Sequence, residues 1–213
     1  MIVEHLSVSL KDGTHVPNVW TRQADAQPLA LILPGAGYTA LGPVLHYPRL
    51  WALENGIDTL TVDYRASGRM GWQEAADFTA ACALAVFDAM ARDHSYPHFM
   101  VIGKSLGTRA MAQLLEQRPA LQAAICVWLT PIFADNAMME AIDRYRPKSL
   151  FVAGTDDPSY DAERLNIALK ATGGQSLLIE GANHSLELKN DVRGSLGVIP
   201  RLLDALDQLQ AKK

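Results

Sequence analysis

Six short apolar segments constrain this chain more than any other feature. They are Leu29–Leu33, Thr59–Val62, Phe99–Ile102, Ala124–Leu129, Ser149–Val152 and Leu177–Ile179, each separated from the next by a stretch of helical character. Segments of three to six residues without polar alternation suit strands buried on both faces, the situation of a parallel sheet. The helical spans between and after them are Leu41–Asn55, Gly71–Ala91, Leu106–Gln117, Ala137–Tyr145, Ala162–Ala171 and Ile199–Leu209. This alternation predicts an α/β fold with a mostly parallel, doubly wound sheet and helices on both faces. Ahead of it, Ile2–Leu10 and His15–Arg22 flank Lys11-Asp12-Gly13-Thr14, which is turn chemistry, so an N-terminal β-hairpin is expected and the sheet should hold about eight strands. The 213 residues suffice for one domain, 1–213, with a full core. Only about twenty residues separate Leu129 from Ser149, room for one short helix and not for a large lid.

Composition closes several functional classes. Hydrophobic residues make up 49% and charged residues 20% of the chain, the balance of a globular protein. The net charge of −4 is mild and the basic residues are scattered, so no nucleic-acid partner is expected. No apolar run reaches the length of a membrane span, and Met1–Leu10 lacks a basic leader and a small-residue cleavage site. The expectation is a cytoplasmic protein with no membrane partner. Its two cysteines, Cys82 and Cys126, fall in a helical and a strand segment and read as buried thiols of a reducing compartment. Neither they nor the six dispersed histidines stand at metal-ligand spacing, so no metal and no other cofactor is expected.

The chemistry gathers just past the strands. Phe99–Ile102 runs into Gly103-Lys104-Ser105-Leu106-Gly107 and then into a helix, the strand–turn–helix context of a nucleophile elbow. A serine in that turn is strained, and a Cβ at either flanking glycine would collide with a neighbouring strand or helix. The backbone N–H of Leu106 then faces a developing oxyanion. Gly103-Lys104-Ser105 is also the tail of a phosphate-binding P-loop, but that motif needs a glycine where His98 stands. Lys104 as a base for Ser105 is the weaker alternative to an outward or sheet-packing lysine. After Leu29–Leu33 comes Pro34-Gly35-Ala36-Gly37-Tyr38-Thr39, main chain that a substrate oxygen can approach closely. Ala36 is the first candidate N–H donor and Gly37 the second. The competing reading is a dinucleotide loop, Gly35-x-Gly37-x-x-Ala40 with Asp63 after the next strand, in an NAD(P)-dependent oxidoreductase. Past Ser149–Val152 stands Gly154-Thr155-Asp156-Asp157-Pro158, and past Leu177–Ile179 stands Gly181-Ala182-Asn183-His184-Ser185. Serine, aspartate and histidine in this chain order, each beyond a strand, form a candidate triad.

With these residues in hand the sequence resembles the α/β-hydrolase superfamily, and within it the compact, lid-poor dienelactone-hydrolase-like members. Gly-Lys-Ser-Leu-Gly, Gly-Thr-x-Asp-Pro and Gly-x-x-His-Ser-Leu carry the resemblance, which spans Leu29 to His184. It implies the α/β-hydrolase fold, Ser105 as nucleophile, His184 as general base, Asp157 as the acid that orients it, and main-chain oxyanion donors at Ala36 and Leu106. Dienelactone hydrolases carry a cysteine nucleophile where this chain has Ser105, so dienelactone as substrate is not implied. What is implied is a serine hydrolase acting on a small ester, thioester or lactone, its partner a small acyl substrate. A catalytically silent binding protein on the same scaffold is a further reading. Loops at the same sheet edge offer Tyr38, Tyr64, Met70, Trp72, Leu106 and Phe133 as pocket walls. Arg65 or Arg69 could meet an acidic group.

Overall fold

The computed structural model describes residues 1–24, 28–64 and 70–211. In it all six apolar runs are strands. After β1 (Ile2–Glu4) and β2 (Asn18–Arg22) come β3 (Pro28–Leu33), β4 (Asp58–Val62), β5 (His98–Lys104), β6 (Ile125–Leu129), β7 (Ser149–Gly154) and β8 (Gln175–Ile179). They form one eight-stranded sheet in the order β1-β2-β4-β3-β5-β6-β7-β8. From β4 to β8 all pairings are parallel, while β1 and β2 join antiparallel. The expected hairpin is therefore present, but its ladder is short. The Asn18 amide accepts from Leu6 N–H and donates to Leu6 C=O, both at 2.8 Å, so a side chain satisfies the backbone where a strand partner would. Nearer the turn, pairing resumes between Ser9 and His15, and Gly13 takes a φ of 86° that favours glycine.

Why the runs are unbroken is visible along β3. Leu29, Leu31 and Leu33 enter one core, while Ala30 and Ile32 enter the other. The first core lies under α2 (Trp72–Asp93), α3 (Leu106–Gln117), α4 (Asn136–Tyr145) and α5 (Ala162–Thr172); the second lies under α1 (Pro43–Glu54) and α7 (Val198–Ala211). Leu202, Leu206 and Leu209 give α7 the three-and-four spacing that lays one stripe on the sheet. Trp51 Nε1 of α1 donates to Asp207 of α7 at 2.7 Å, tying the two helices of that layer together. Between β6 and β7 the chain holds only α4, capped by Asp135, whose side chain accepts from Met138 N–H. No lid is housed there. The five-residue helix α6 (Val192–Leu196) and a 3-10 turn at Pro119–Leu121 were not predicted, being too short to show a period.

The chain order of the strands reverses at β3: β4 lies on one side of it and β5 on the other. In open α/β sheets such a reversal leaves a crevice beyond the carboxyl ends of the two strands, because the connecting segments depart in opposite directions. Here that crevice is bounded by Leu33 and Lys104.

Candidate active site

Ser105 stands alone between the end of β5 and the first residue of α3, with φ 51° and ψ −116°. A non-glycine residue in that region is strained and persists only where its surroundings over-determine it. They do so here. Ser105 N–H donates to Leu129 C=O at 2.9 Å, and its own C=O accepts from Thr108 N–H at 2.8 Å and from the Thr108 hydroxyl at 2.6 Å. Both flanking glycines are required by contact: a Cβ on Gly103 would meet the Gly107 carbonyl at 2.8 Å, and one on Gly107 would overlap the Leu33 carbonyl. Leu106 opens α3, so its N–H belongs to the first turn, which has no acceptors inside the helix.

The other two candidates meet the serine. His184 Nε2 lies 2.8 Å from Ser105 Oγ, and His184 Nδ1 lies 2.8 and 2.9 Å from the two oxygens of Asp157. An ionised carboxylate only accepts, so Nδ1 carries the proton and donates, which leaves Nε2 free to accept from the serine hydroxyl. The Asp157 side chain is 1% exposed, that of His184 37%. Burial alone would push the Asp157 carboxyl up. The hydrogen bonds from His184 and from Ser159 N–H, together with the charges of His184 and Lys104, outweigh it and hold the group below its ordinary range. Asp156 points elsewhere: it is exposed, and its N–H donates to Ala182 C=O at 3.0 Å.

Several residues of the quoted motifs to which the sequence assigned no role fix this geometry. The loops after β7 and β8 are stitched by Thr155, whose hydroxyl accepts from Gly181 N–H at 2.8 Å, and by Gly154, where a Cβ would overlap the Ala182 carbonyl. Asn183 accepts from Ser185 and Glu187 N–H and so turns the chain immediately after His184. That turn was legible as an asparagine in a loop, but its partners were not.

The glycine loop lies against the serine. A Cβ on Gly35 would sit 3.0 Å from Ser105 Cβ and 3.6 Å from its Oγ, while Ala36 and Gly37 are exposed on the turn that follows. The phenol of Tyr64, at the end of β4, donates to Pro34 C=O at 2.5 Å and braces the loop from below. This geometry leaves little of the dinucleotide reading. α1 begins at Pro43, three residues beyond Ala40, and the Val44 N–H of its first turn is already given to the Tyr38 hydroxyl at 3.2 Å. A pyrophosphate would need those N–H groups free.

Of the expected pocket walls, Tyr38 borders an apolar cavity of about 400 Å³ with Pro43, Val44, Leu186, Leu188 and Leu196. Ser185 and Leu186 of that wall directly follow His184, although Ser105 and His184 are not themselves in it. Met70 packs beside Leu106 with Ala75 and Ala76, on the elbow's other flank, and Trp72 begins α2 half exposed. Two walls are corrected. Phe133 is fully buried against Phe151, because its backbone turns at Pro131 and sends the ring into the α4 and α5 layer. Tyr64 is buried as well, drawn in by the carbonyl that its hydroxyl satisfies. Arg65 and Arg69 lie outside the described residues. Among the described residues no group of three or more His, Cys, Asp or Glu could hold a metal ion, and no helix is long and apolar enough to cross a membrane.

Lys104 is the least expected member of the site. It is 2% exposed, and its ammonium donates to His184 C=O at 2.9 Å and to Thr130 Oγ1 at 3.2 Å, with the Tyr38 ring centroid 4.7 Å away. Burial lowers its pKa from 10.5 to about 8 against the opposing pull of Asp157. It packs into the sheet and does not reach Ser105 as a base.

No family model matches the chain, and no curated protein is similar to it in sequence. Solved structures do match over nearly the whole length. An esterase of Pyrococcus furiosus superposes with a TM-score of 0.72 at 12% identity, covering 97% of this chain and 92% of its own. Est1E of Butyrivibrio proteoclasticus gives 0.72 at 15%, covering 98% and 99%. A dienelactone hydrolase of Anabaena variabilis gives 0.68 at 15%, covering 97% of each chain. The eight-stranded sheet, its helices and its N-terminal hairpin are those of the α/β-hydrolase fold.

Proposed function

We propose that this chain, built on the α/β-hydrolase fold, is a serine hydrolase that cleaves a small ester, thioester or lactone through an acyl-enzyme. The observation that carries the reading is the unbroken hydrogen-bond chain from Ser105 Oγ through His184 to the buried Asp157. As Ser105 attacks the acyl carbonyl, His184 Nε2 takes its proton and later gives it to the leaving group; water then enters with His184 again as base. Asp157 holds the Nδ1–H tautomer and stabilises the imidazolium. The N–H groups of Leu106 and Ala36, or Gly37 in its place, receive the developing oxyanion, aided by the N-terminus of α3. Acyl and leaving groups would divide between the Tyr38 cavity and the Met70–Trp72 flank, and without a lid between β6 and β7 compact substrates are favoured.

The same reading assigns the protein to the cytoplasm; its support is that Cys82 and Cys126 are both buried and free. A fluorophosphonate probe tests the reading. Stoichiometric labelling that disappears in Ser105→Ala is expected. No labelling, with tight NAD(P)H binding, would favour the oxidoreductase; neither result would leave a silent scaffold.

A further inference from the structure

We infer that Lys104 is a positioning residue for the proposed hydrolysis, its ammonium joining the carbonyl of His184, the hydroxyl of Thr130 and the ring of Tyr38 so that the histidine loop and the glycine loop are held to the elbow by one cation. The inference rests on the triad reading. Lys104 continues the row Met100 and Ile102 that faces α1 and α7, where an apolar side chain would cost nothing to bury. An ammonium there is expensive, and no carboxylate hydrogen-bonds it among the described residues. Its hydrogen bonds go instead to Thr130 and to the loop that would carry the base, and its charge faces the Tyr38 ring of the loop that would carry the oxyanion N–H groups. Thr130 is itself held at φ 42°, a conformation unfavourable for a β-branched residue. Strain and a buried charge thus meet at one hydrogen bond.

The charged and titratable groups around Lys104 are few. Asp157 lies within reach of its charge from the loop after β7. Tyr38 offers its ring from the loop after β3, and His184 its carbonyl from the loop after β8. Glu187 acts on Tyr38, not on the lysine directly. Loss of the ammonium's proton removes the cation–π contact and weakens the charge-assisted hydrogen bond to the histidine loop. The working form is therefore the protonated one, and kcat/KM falls as pH rises past about 8. The folded chain releases this proton near 8 and the unfolded chain near 10.5. The buried ammonium therefore works against folding at neutral pH, and removing it does not lower the melting temperature.

The test is Lys104→Met in the full chain, with p-nitrophenyl acetate as substrate. We expect kcat to drop about 10- to 100-fold, as for misplaced catalytic groups. KM should stay within about threefold, since binding is not what is lost. The melting temperature should hold, and the alkaline limb near pH 8 should disappear. A kcat within about twofold of wild type, or a limb that persists in the variant, overturns the inference, as does a lower melting temperature with the pH profile unmoved. Should the variant not fold, the wild-type profile decides: a flat kcat/KM from about pH 7 to about 9.5 overturns the inference, and a limb near 8 sustains it. Thr130→Val, which removes one acceptor at constant shape, should lower kcat in the same direction by about threefold. Fluorophosphonate labelling is run alongside. An unlabelled wild type sinks the triad, whereas a labelled wild type with an indifferent Lys104→Met sinks the lysine alone.

Discussion

Replacing Asp157 by asparagine keeps the shape of the site and reverses one hydrogen bond. In the wild type both carboxylate oxygens accept from His184 Nδ1–H, and Asp157 Oδ1 also accepts from Ser159 N–H at 2.8 Å. Asparagine can keep the Ser159 bond with its oxygen, which turns its NH₂ toward Nδ1. The imidazole must then accept at Nδ1 and carry its proton on Nε2, where it faces Ser105 Oγ and cannot take the serine proton. A well-studied serine triad loses about 10⁴ in kcat from this change. The imidazole here is more than a third exposed and can rotate toward water, so the expected loss is about 10² to 10⁴, or about 3 to 5 kcal/mol of barrier. Asp156→Asn, an exposed neighbour whose backbone alone is engaged, should change kcat by less than about tenfold, under about 1.4 kcal/mol. Steady-state hydrolysis of p-nitrophenyl acetate by both variants, with circular dichroism to establish that each is folded, measures the contrast. A larger loss in Asp156→Asn than in Asp157→Asn would refute the assignment of the acid and the tautomer argument with it.

Other variants probe the remaining parts of the site. Ser105→Ala and His184→Ala should each remove ester turnover by several orders of magnitude, and the double variant should be little worse than either, since the residues act as a unit; activity within about tenfold of wild type in Ser105→Ala would sink the triad. Gly107→Ala forces a Cβ into the Leu33 carbonyl and should cost about 3 kcal/mol, lowering the melting temperature by roughly 6 to 12 °C. Gly13→Ala, strained in φ but open in space, should cost only about 1 kcal/mol, and equal losses in the two would refute the contact argument. Chain-length profiling with p-nitrophenyl esters should favour short acyl groups, given a cavity of about 400 Å³ and no lid between β6 and β7; an optimum at long chains with interfacial activation would count against it.

What the sequence made legible follows from how local each signal is. The six strands and the main helices carried their own periodicity, and the three residues of the candidate triad could be expected to meet because each stands within a few residues of a strand end that fixes its side of the sheet. Side-chain direction in loops was not legible in the same way. Phe133 and Tyr64 both follow strands, as Tyr38 does, yet a turn at Pro131 and the Pro34 carbonyl that the Tyr64 hydroxyl satisfies place them in the interior. For Lys104 the sheet-packing reading holds over the outward one because β5 is covered on both faces, and strand parity aims the side chain at the α1 and α7 layer. Its partners come from loops about 26 and 80 residues further along the chain, beyond the reach of any local pattern. What weighs against the competing glycine fingerprint is equally remote from it: Gly35 packs against Ser105, and the Val44 N–H at the start of α1 is given to the Tyr38 hydroxyl.

Ser105 and His184 are carried by unequal parts of one sheet. β5 lies between β3 and β6 near its middle, whereas β8 is the outermost strand, pairs only with β7 and buries only Ile179 fully. Such an edge opens at a lower free energy than the centre, because fewer apolar contacts and one ladder instead of two must be given up. Fraying of β8 would carry His184 away while the serine turn stays folded between its glycines. The working lifetime of the site is then set by a sub-global opening at one edge, and a measured global stability overstates it.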